Sequence, residues 1–291
     1  TKEQRVFLEK HFGACRYVYN YFLDLRAREY KENKRSISGL ECKRMLIPLK
    51  KTNKWLKEIN SQSLQEAVLN LEKAYQRFFK GLGKYPVFKR KRNHQSFTVP
   101  QHFFVEGNLF YIPKLKQGIR IKLHRPIDGV PSSLTISRAP SGKYYASFSC
   151  ETLMPEVRNK PAGIIGIDLG ITSFIATSNK QKVDHPACLR KSERKLARYQ
   201  RLLSKKKNGS NNKSKQRLKV ALLHEKISNQ RHDFLHKLSR KIVDENQAVY
   251  LESLNVKGMM QNRHLSKSIA DSGWSELQGS LSTKASGTEL K

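Results

Sequence analysis

At 291 residues, with 57 Lys and Arg against 24 Asp and Glu, the chain carries a formal net charge of +33 and a pI near 10.2. That excess destabilises a compact fold unless a polyanion neutralises it, and basic residues in every third of the chain point to a nucleic acid contacted along most of the molecule. No apolar run approaches the ~20 residues of a spanning helix and no signal-peptide pattern opens the chain, so the expectation is a cytoplasmic protein without a membrane partner.

The expected fold class is mixed α and β, in more than one domain. Residues 1–83 read as helical. Phe7, Leu8, Phe12, Cys15, Val18, Tyr19, Phe22 and Leu25 recur at steps of three and four, and the polar stretch Lys31 to Ser38 interrupts them. A second helix is expected from Ser63, with Glu66 completing a capping box, through Leu64, Val68, Leu71, Tyr75 and Phe78 to Gly81 and Gly83. From residue 84 to 155 the period changes to two. Ile119–Leu123 and Leu134–Ser137 alternate, Gly107-Asn108 and Ser141-Gly142 read as hairpin turns, and the spacing predicts a small antiparallel barrel or sandwich.

Pro155 to Pro161 reads as a connector to a third region, residues 161–278. It opens with Ile164-Ile165-Gly166-Ile167, expected to be a strand buried on both faces, which delivers Asp168 into a turn at Gly170 before a second apolar run, Ser173–Thr177. Two long basic helices are expected over about 187–207 and 213–245, broken at Gly209–Asn212. A further strand, Ala248–Leu254, carries Glu252, and residues 279–291 read as an irregular tail.

Asp168 and Glu252 each stand at the end of an apolar strand, and if those strands are neighbours their carboxylates converge. Hard oxygen ligands of this kind suit Mg²⁺ or Mn²⁺, which in phosphoryl transfer activate water and stabilise the leaving oxygen. The competing reading makes each carboxylate a turn cap or the partner of a lysine. Lys89, Arg90, Lys91 and Arg92 form a run of four cations among Tyr85, Phe88, Phe97, Phe103 and Phe104, a combination suited to phosphates and bases, or else a solvated loop. Lys205, Lys206 and Lys207 join the two basic helices, which also carry cations at 190, 191, 194, 195, 198 and 201 and at 213, 215, 217 and 219. These would clamp a nucleic-acid backbone, or form a solvated helical hairpin. His232 and His236, four apart, read as a polar helix face. Cys15, Cys42, Cys150 and Cys188 include no Cys-x-x-Cys pair, so neither zinc nor a disulfide framework is expected, and no Ser-His-Asp grouping stands out.

In order and spacing, several segments together resemble the TnpB (OrfB-type) proteins of bacterial insertion sequences, relatives of type V CRISPR effectors. They are Gly13–Asn20, Tyr85–Lys89, Gly166–Ile171, Leu223–Ile227 with Asn229–Arg231, and Leu251–Met259. The resemblance implies a helical recognition lobe (1–83), an oligonucleotide-binding-like wedge barrel (84–155) and a ribonuclease-H-like (RuvC) α/β domain with a helical hairpin insertion. It also implies a transposon-associated, RNA-guided DNA endonuclease with guide RNA and target DNA as partners, and Asp168 and Glu252 as the first two catalytic, metal-binding acids. Such proteins continue into a four-cysteine zinc ribbon and a third catalytic aspartate, neither of which follows here, and the chain starts at Thr1 within a helical pattern. The expectation is a chain truncated at both ends, with impaired cleavage or nucleic-acid binding alone, and no catalytic role for Asp271. A sugar-kinase or actin-like ATPase also uses an Ile-Asp-Leu-Gly hairpin, but it needs later glycine-rich phosphate loops that do not follow Asp168.

Overall fold

The computed structural model describes residues 1–92, 94–152 and 163–289, in two compact units, Thr1–Met154 and Pro155–Lys291. The expected connector, 155–161, lies outside the described residues.

In the first unit, helix α1 (Lys2–Asn33) buries Leu8, Phe12, Cys15, Val18, Tyr19 and Phe22, the stripe legible in the sequence. Helix α2 (Gly39–Thr52) starts at Ser38, whose hydroxyl accepts from Glu41 N–H while the Glu41 carboxylate accepts from Ser38 N–H, a reciprocal capping box. A 3₁₀ turn (Lys54–Glu58) leads to α3 (Ser61–Phe79). The cap expected at Ser63 is displaced: Asn60 caps α3 by accepting from Gln62 N–H, and Ser63 lies two residues inside, fully buried. Ser63 is instead buried against α1, where its backbone carbonyl accepts from the Cys15 thiol.

Strands β1 (Gln95–Val99), β5 (Val130–Arg138) and β6 (Tyr144–Glu151) form one antiparallel sheet, in the order β1-β5-β6. Strands β2 (Phe104–Glu106), β3 (Leu109–Tyr111) and β4 (Ile119–Arg120) form another. The Gly107-Asn108 and Ser141-Gly142 turns fall where expected, with both glycines at positive φ. The expected barrel does not close among the described residues. Strands of three, three and two residues are too short to bridge the free edges of β1 and β6, and beyond Arg120 the alternating 119–123 segment leaves the ladder. Helices and sheets share one core, in which Phe12 meets Phe97 edge-on at 5.3 Å and Arg138 reaches Glu9 at 2.6 Å.

The second unit is built on a four-stranded sheet, β10-β7-β8-β9. Strand β7 (Ile164–Leu169) turns tightly into β8 (Ser173–Thr177), antiparallel to it, and β9 (Lys182–Asp184) continues the meander. A side chain at Gly170 would bring its Cβ to 2.7 Å from the Ser173 carbonyl, so the turn needs glycine for close approach. Helices α4 (Cys188–Ser204) and α5 (Asn211–Glu245) make the expected hairpin, stapled where Gln216 Nε2 donates to the Tyr199 carbonyl at 3.0 Å. The chain then returns as β10 (Ala248–Leu251), parallel to β7, and ends in α6 (Val256–Met259), α7 (Ser266–Ser272) and α8 (Trp274–Glu289).

Two expectations fail here. β7 is buried on one face: Ile165, Ile167 and Leu169 enter the core, while Ile164 is 64% exposed and Asp168 is exposed with it. Three isoleucines in four residues hide a period of two, in which Ile164, Gly166 and Asp168 alternate with the core set. Nor is the segment after Gly279 irregular: α8 runs to Glu289, because Trp274, Leu277 and Leu281 dock on Leu235, Ile242 and Val243 of α5. Tertiary burial overrides the weak helical preference of its Gly, Ser and Thr residues.

Candidate metal and nucleic-acid site

β10 lies beside β7 with Ala248 opposite Ile164, Tyr250 opposite Gly166 and Leu251 opposite Ile167. One step further along that register Glu252 follows β10 at the level of Asp168, and both side chains are exposed. Together with Gly166, Thr177, Ser178 and Tyr250 they line a shallow cavity of about 540 Å³. The two carboxylates singled out in the sequence therefore lie side by side on the exposed face of the sheet, at the C-terminal ends of β7 and β10. Gly166 leaves the floor between the strands low, and Tyr250, 67% exposed, stands beside it.

This end of the sheet is firmly held. Ser178 N–H donates to the Gly166 carbonyl at 2.9 Å, and its hydroxyl accepts from Gly166 N–H at 3.2 Å. Gln278 Nε2, from α8, donates to the Glu252 carbonyl at 3.2 Å. Among the described residues no hydrogen bond or ion pair engages either carboxylate side chain, so their lone pairs face solvent. Two hard oxygen donors open to water fit Mg²⁺ or Mn²⁺, which commonly keep several waters and take one or two protein carboxylates. Among the described residues no group of three or more His, Cys, Asp or Glu side chains could hold a metal ion.

Asp271 has a different use. It is buried and accepts from Leu189 N–H at 3.0 Å and Arg190 N–H at 3.3 Å. It thereby supplies from α7 the cap that Ala187, in a left-handed conformation and without a capping side chain, cannot give α4. Beside it His185 Nε2 meets the Ser272 hydroxyl at 2.8 Å, its Nδ1 accepts from Ala187 N–H, and burial lowers its pKa. No sequence signal pairs residue 271 with residue 189.

The cationic candidates divide in the same way. Lys89 is fastened to α1: its backbone N–H donates to Asn20 Oδ1 at 2.8 Å and its carbonyl accepts from Asn20 Nδ2 at 2.9 Å. Its ammonium lies 4.1 Å from the centroid of Tyr19, and desolvation lowers its pKa. This interlock gives a physical reason for the Tyr19-Asn20 and Phe88-Lys89 segments to occur together. Arg90, Lys91 and Arg92 project into solvent. Lys205, Lys206 and Lys207 sit at the tip of the α4–α5 hairpin, where the Lys207 carbonyl accepts from the Ser210 hydroxyl. Of the aromatics proposed to stack on bases, Phe97 is buried against Phe12 and His11 and cannot reach a ligand, because its alternation in β1 points it inward. Phe104 is exposed and stacks on Tyr111 at 4.4 Å. His232 pairs with Glu276 at 2.5 Å, joining α5 to α8. Cys15, Cys42 and Cys188 are buried, and burial raises the Cys15 thiol to about 12 and the Cys42 thiol to about 11.

Residues 147–263 match the OrfB/IS605 family, described as a probable transposase, and residues 1–35 match a description as a helix-turn-helix domain. In this chain that second segment is dominated by one continuous helix, α1. A putative RNA-guided DNA endonuclease of Streptomyces pristinaespiralis is 36% identical over 299 residues, covering 100% of this chain and 74% of the relative. The putative RNA-guided DNA endonuclease InsQ of Escherichia coli K12 is 29% identical over 301 residues, covering 97% of this chain and 74% of its own. A chain in a cryo-EM structure of a CRISPR-Cas12f ternary complex aligns over 100% of this chain and 71% of its own length, at 13% identity and a TM-score of 0.38. Among the described residues no helix is long and apolar enough to cross a membrane.

Proposed function

The chain belongs to the TnpB (OrfB-type) family, and on that premise we propose that it is a transposon-associated, RNA-guided DNA endonuclease of the RuvC type whose metal site is built on Asp168 and Glu252. The observation that carries this reading is the parallel pairing of β7 with β10, which sets the two carboxylates side by side on the exposed face of the sheet. Mg²⁺ or Mn²⁺ bound there would polarise the scissile phosphate and activate the attacking water. The chain's own contribution is to hold Asp168 on β7 and Glu252 directly after β10, its backbone carbonyl tied to Gln278, so that little reorganisation is needed when the ion binds. Low-lying Gly166 leaves room for a strand to approach, and cations at Arg90–Arg92 and Lys205–Lys207 neutralise the backbones of guide RNA and target DNA.

A two-carboxylate donor set favours a second reading as well, guide-RNA and DNA binding without cleavage. One experiment separates them. The purified chain is loaded with guide RNA, and Mn²⁺ binding and cutting of a matched DNA are measured for wild type, Asp168→Asn and Glu252→Gln. The nuclease reading expects cutting and Mn²⁺ binding to fall in both variants while guide binding stays. Unchanged cutting in Asp168→Asn removes the assignment, and guide binding without wild-type cutting selects the second reading.

A further inference from the structure

The C-terminal end of α3 carries an aromatic surface that the metal site does not use. Phe78 and Phe79 close the helix, with Phe79 73% exposed, and Leu82, Tyr85, Val87 and Phe88 follow with large exposed areas. The rings form a connected platform: Phe78 to Phe79 at 5.3 Å, Phe78 to Tyr85 edge-on at 5.3 Å, and Tyr75 to Phe79 stacked at 6.2 Å. It is rooted in the core. Tyr75 is buried, its hydroxyl meets that of Tyr85 at 3.1 Å, and Arg26 lies over its ring at 4.0 Å while pairing with Glu72 at 2.7 Å. Rings fixed from behind and bare in front need little ordering when a flat ligand arrives.

The surrounding charge names the ligand's chemistry. Residues 73–105 contain Lys73, Arg77, Lys80, Lys84, Lys89, Arg90, Lys91 and Arg92, and no Asp or Glu. A rim this basic repels most protein surfaces of a basic chain and attracts a polyanion that also offers flat apolar faces. A duplex hides those faces within its stack, whereas unpaired RNA presents them throughout its life in loops and ends. We infer that the Phe78–Phe79–Tyr85 platform is a stacking site for unpaired bases of a bound RNA, with Arg77, Lys80 and Lys84 on the adjoining phosphates. This rests on the RNA-binding part of the proposed function and is independent of cleavage.

The test uses the full chain and three fluorescent probes of equal length: oligoadenylate RNA, its DNA counterpart, and an abasic ribose-phosphate strand. Phe78→Ala/Phe79→Ala is expected to weaken RNA binding by roughly tenfold or more, to leave abasic binding unchanged, and to keep the wild-type salt slope. Phe79→Ala alone, at a side chain mostly in water, guards against misfolding and should show a smaller loss of the same selectivity, which Phe79→Trp restores. Unchanged RNA binding in both alanine variants, an equal loss on the abasic strand, or a loss seen on DNA but not on RNA overturns the platform. A wild-type chain that binds no RNA overturns the proposed partner as well.

Discussion

The exposed face of the second unit's sheet and the junction of α7 with α4 hold aspartates in opposite conditions. At the junction Asp271 is buried and its oxygens accept from two successive backbone N–H groups. On the sheet face Asp168 is exposed, with Glu252 beside it and, among the described residues, no hydrogen bond or ion pair on either side chain. A carboxylate has room for about four donors. Where the protein supplies them, the residue stabilises the fold; where it supplies none, the residue remains available to a ligand. Among the cations, the Lys89 ammonium is held over the Tyr19 ring, whereas Lys205 and Lys207 are exposed at the hairpin tip.

The largest expected effect tests the open side of that comparison. Asp168→Ala should lower guided cleavage by roughly 10²-fold or more. Its unfolding free energy should stay within about 0.5 kcal/mol of wild type, since an exposed group without partners contributes little to folding. Thermal denaturation beside a cleavage time course checks both. A marked loss of stability would place Asp168 with Asp271 as a structural group.

The next effect tests a buried, satisfied group. His11 is almost wholly buried, its Nδ1–H donates to the Phe7 carbonyl at 3.0 Å, and its Nε2 accepts from Asn60 N–H at 3.3 Å. Burial lowers its pKa to about 4 from 6.5, with Phe7 opposing and Lys114 adding to the shift. Between those values the unfolded chain binds a proton that the folded chain does not. Stability therefore falls as pH drops through that window, by up to roughly 3 kcal/mol, and is insensitive to this group above it. Urea titrations over the window should show the slope in wild type and its loss in His11→Gln.

Asp271→Ala should cost about 1–2 kcal/mol by uncapping α4. Mn²⁺ binding on the sheet face should be unchanged, the reverse of Asp168→Ala; calorimetry and denaturation together read the contrast. An equal loss of metal binding would merge the two regions into one site.

How much of this was legible in the sequence follows from the range of the interactions. Strand periodicity and glycine turns are local, so the β7–β8 hairpin, the α4–α5 hairpin and a strand leading to Glu252 could be read directly, although β10 ends at Leu251, short of the expected Leu254 and of Glu252 itself. The Asp271 cap joins residues 82 apart in the chain, and no pattern at 189 announces a missing cap. Phe97 carries the same letter as Phe104, but only the sheet places one in the core and the other in solvent. The run after Gly279 lacks helical propensity, and its helix exists because Leu277 and Leu281 find α5. Sheet closure depends on edges meeting, and strands as short as β2–β4 leave little in the sequence to tell closed from open.

Among the cations, salt dependence separates fastened from solvent-facing side chains. Lys205 and Lys207 are exposed and Lys206 half-buried at the hairpin tip, so replacing all three with Ala should change folding by no more than about 0.5 kcal/mol. If they meet phosphates, the slope of log affinity against log salt should flatten by roughly 2–3 for a duplex, because each neutralised phosphate releases nearly one counterion. Lys89→Ala should do the opposite. Loss of the ammonium from Tyr19 should destabilise the first unit by about 1 kcal/mol while moving the slope by less than one charge's worth. Salt titrations of DNA binding on both variants, with denaturation alongside, decide the matter. A flattened slope for Lys89→Ala and none for the triple variant would mean that the fastened lysine, not the free ones, meets the nucleic acid.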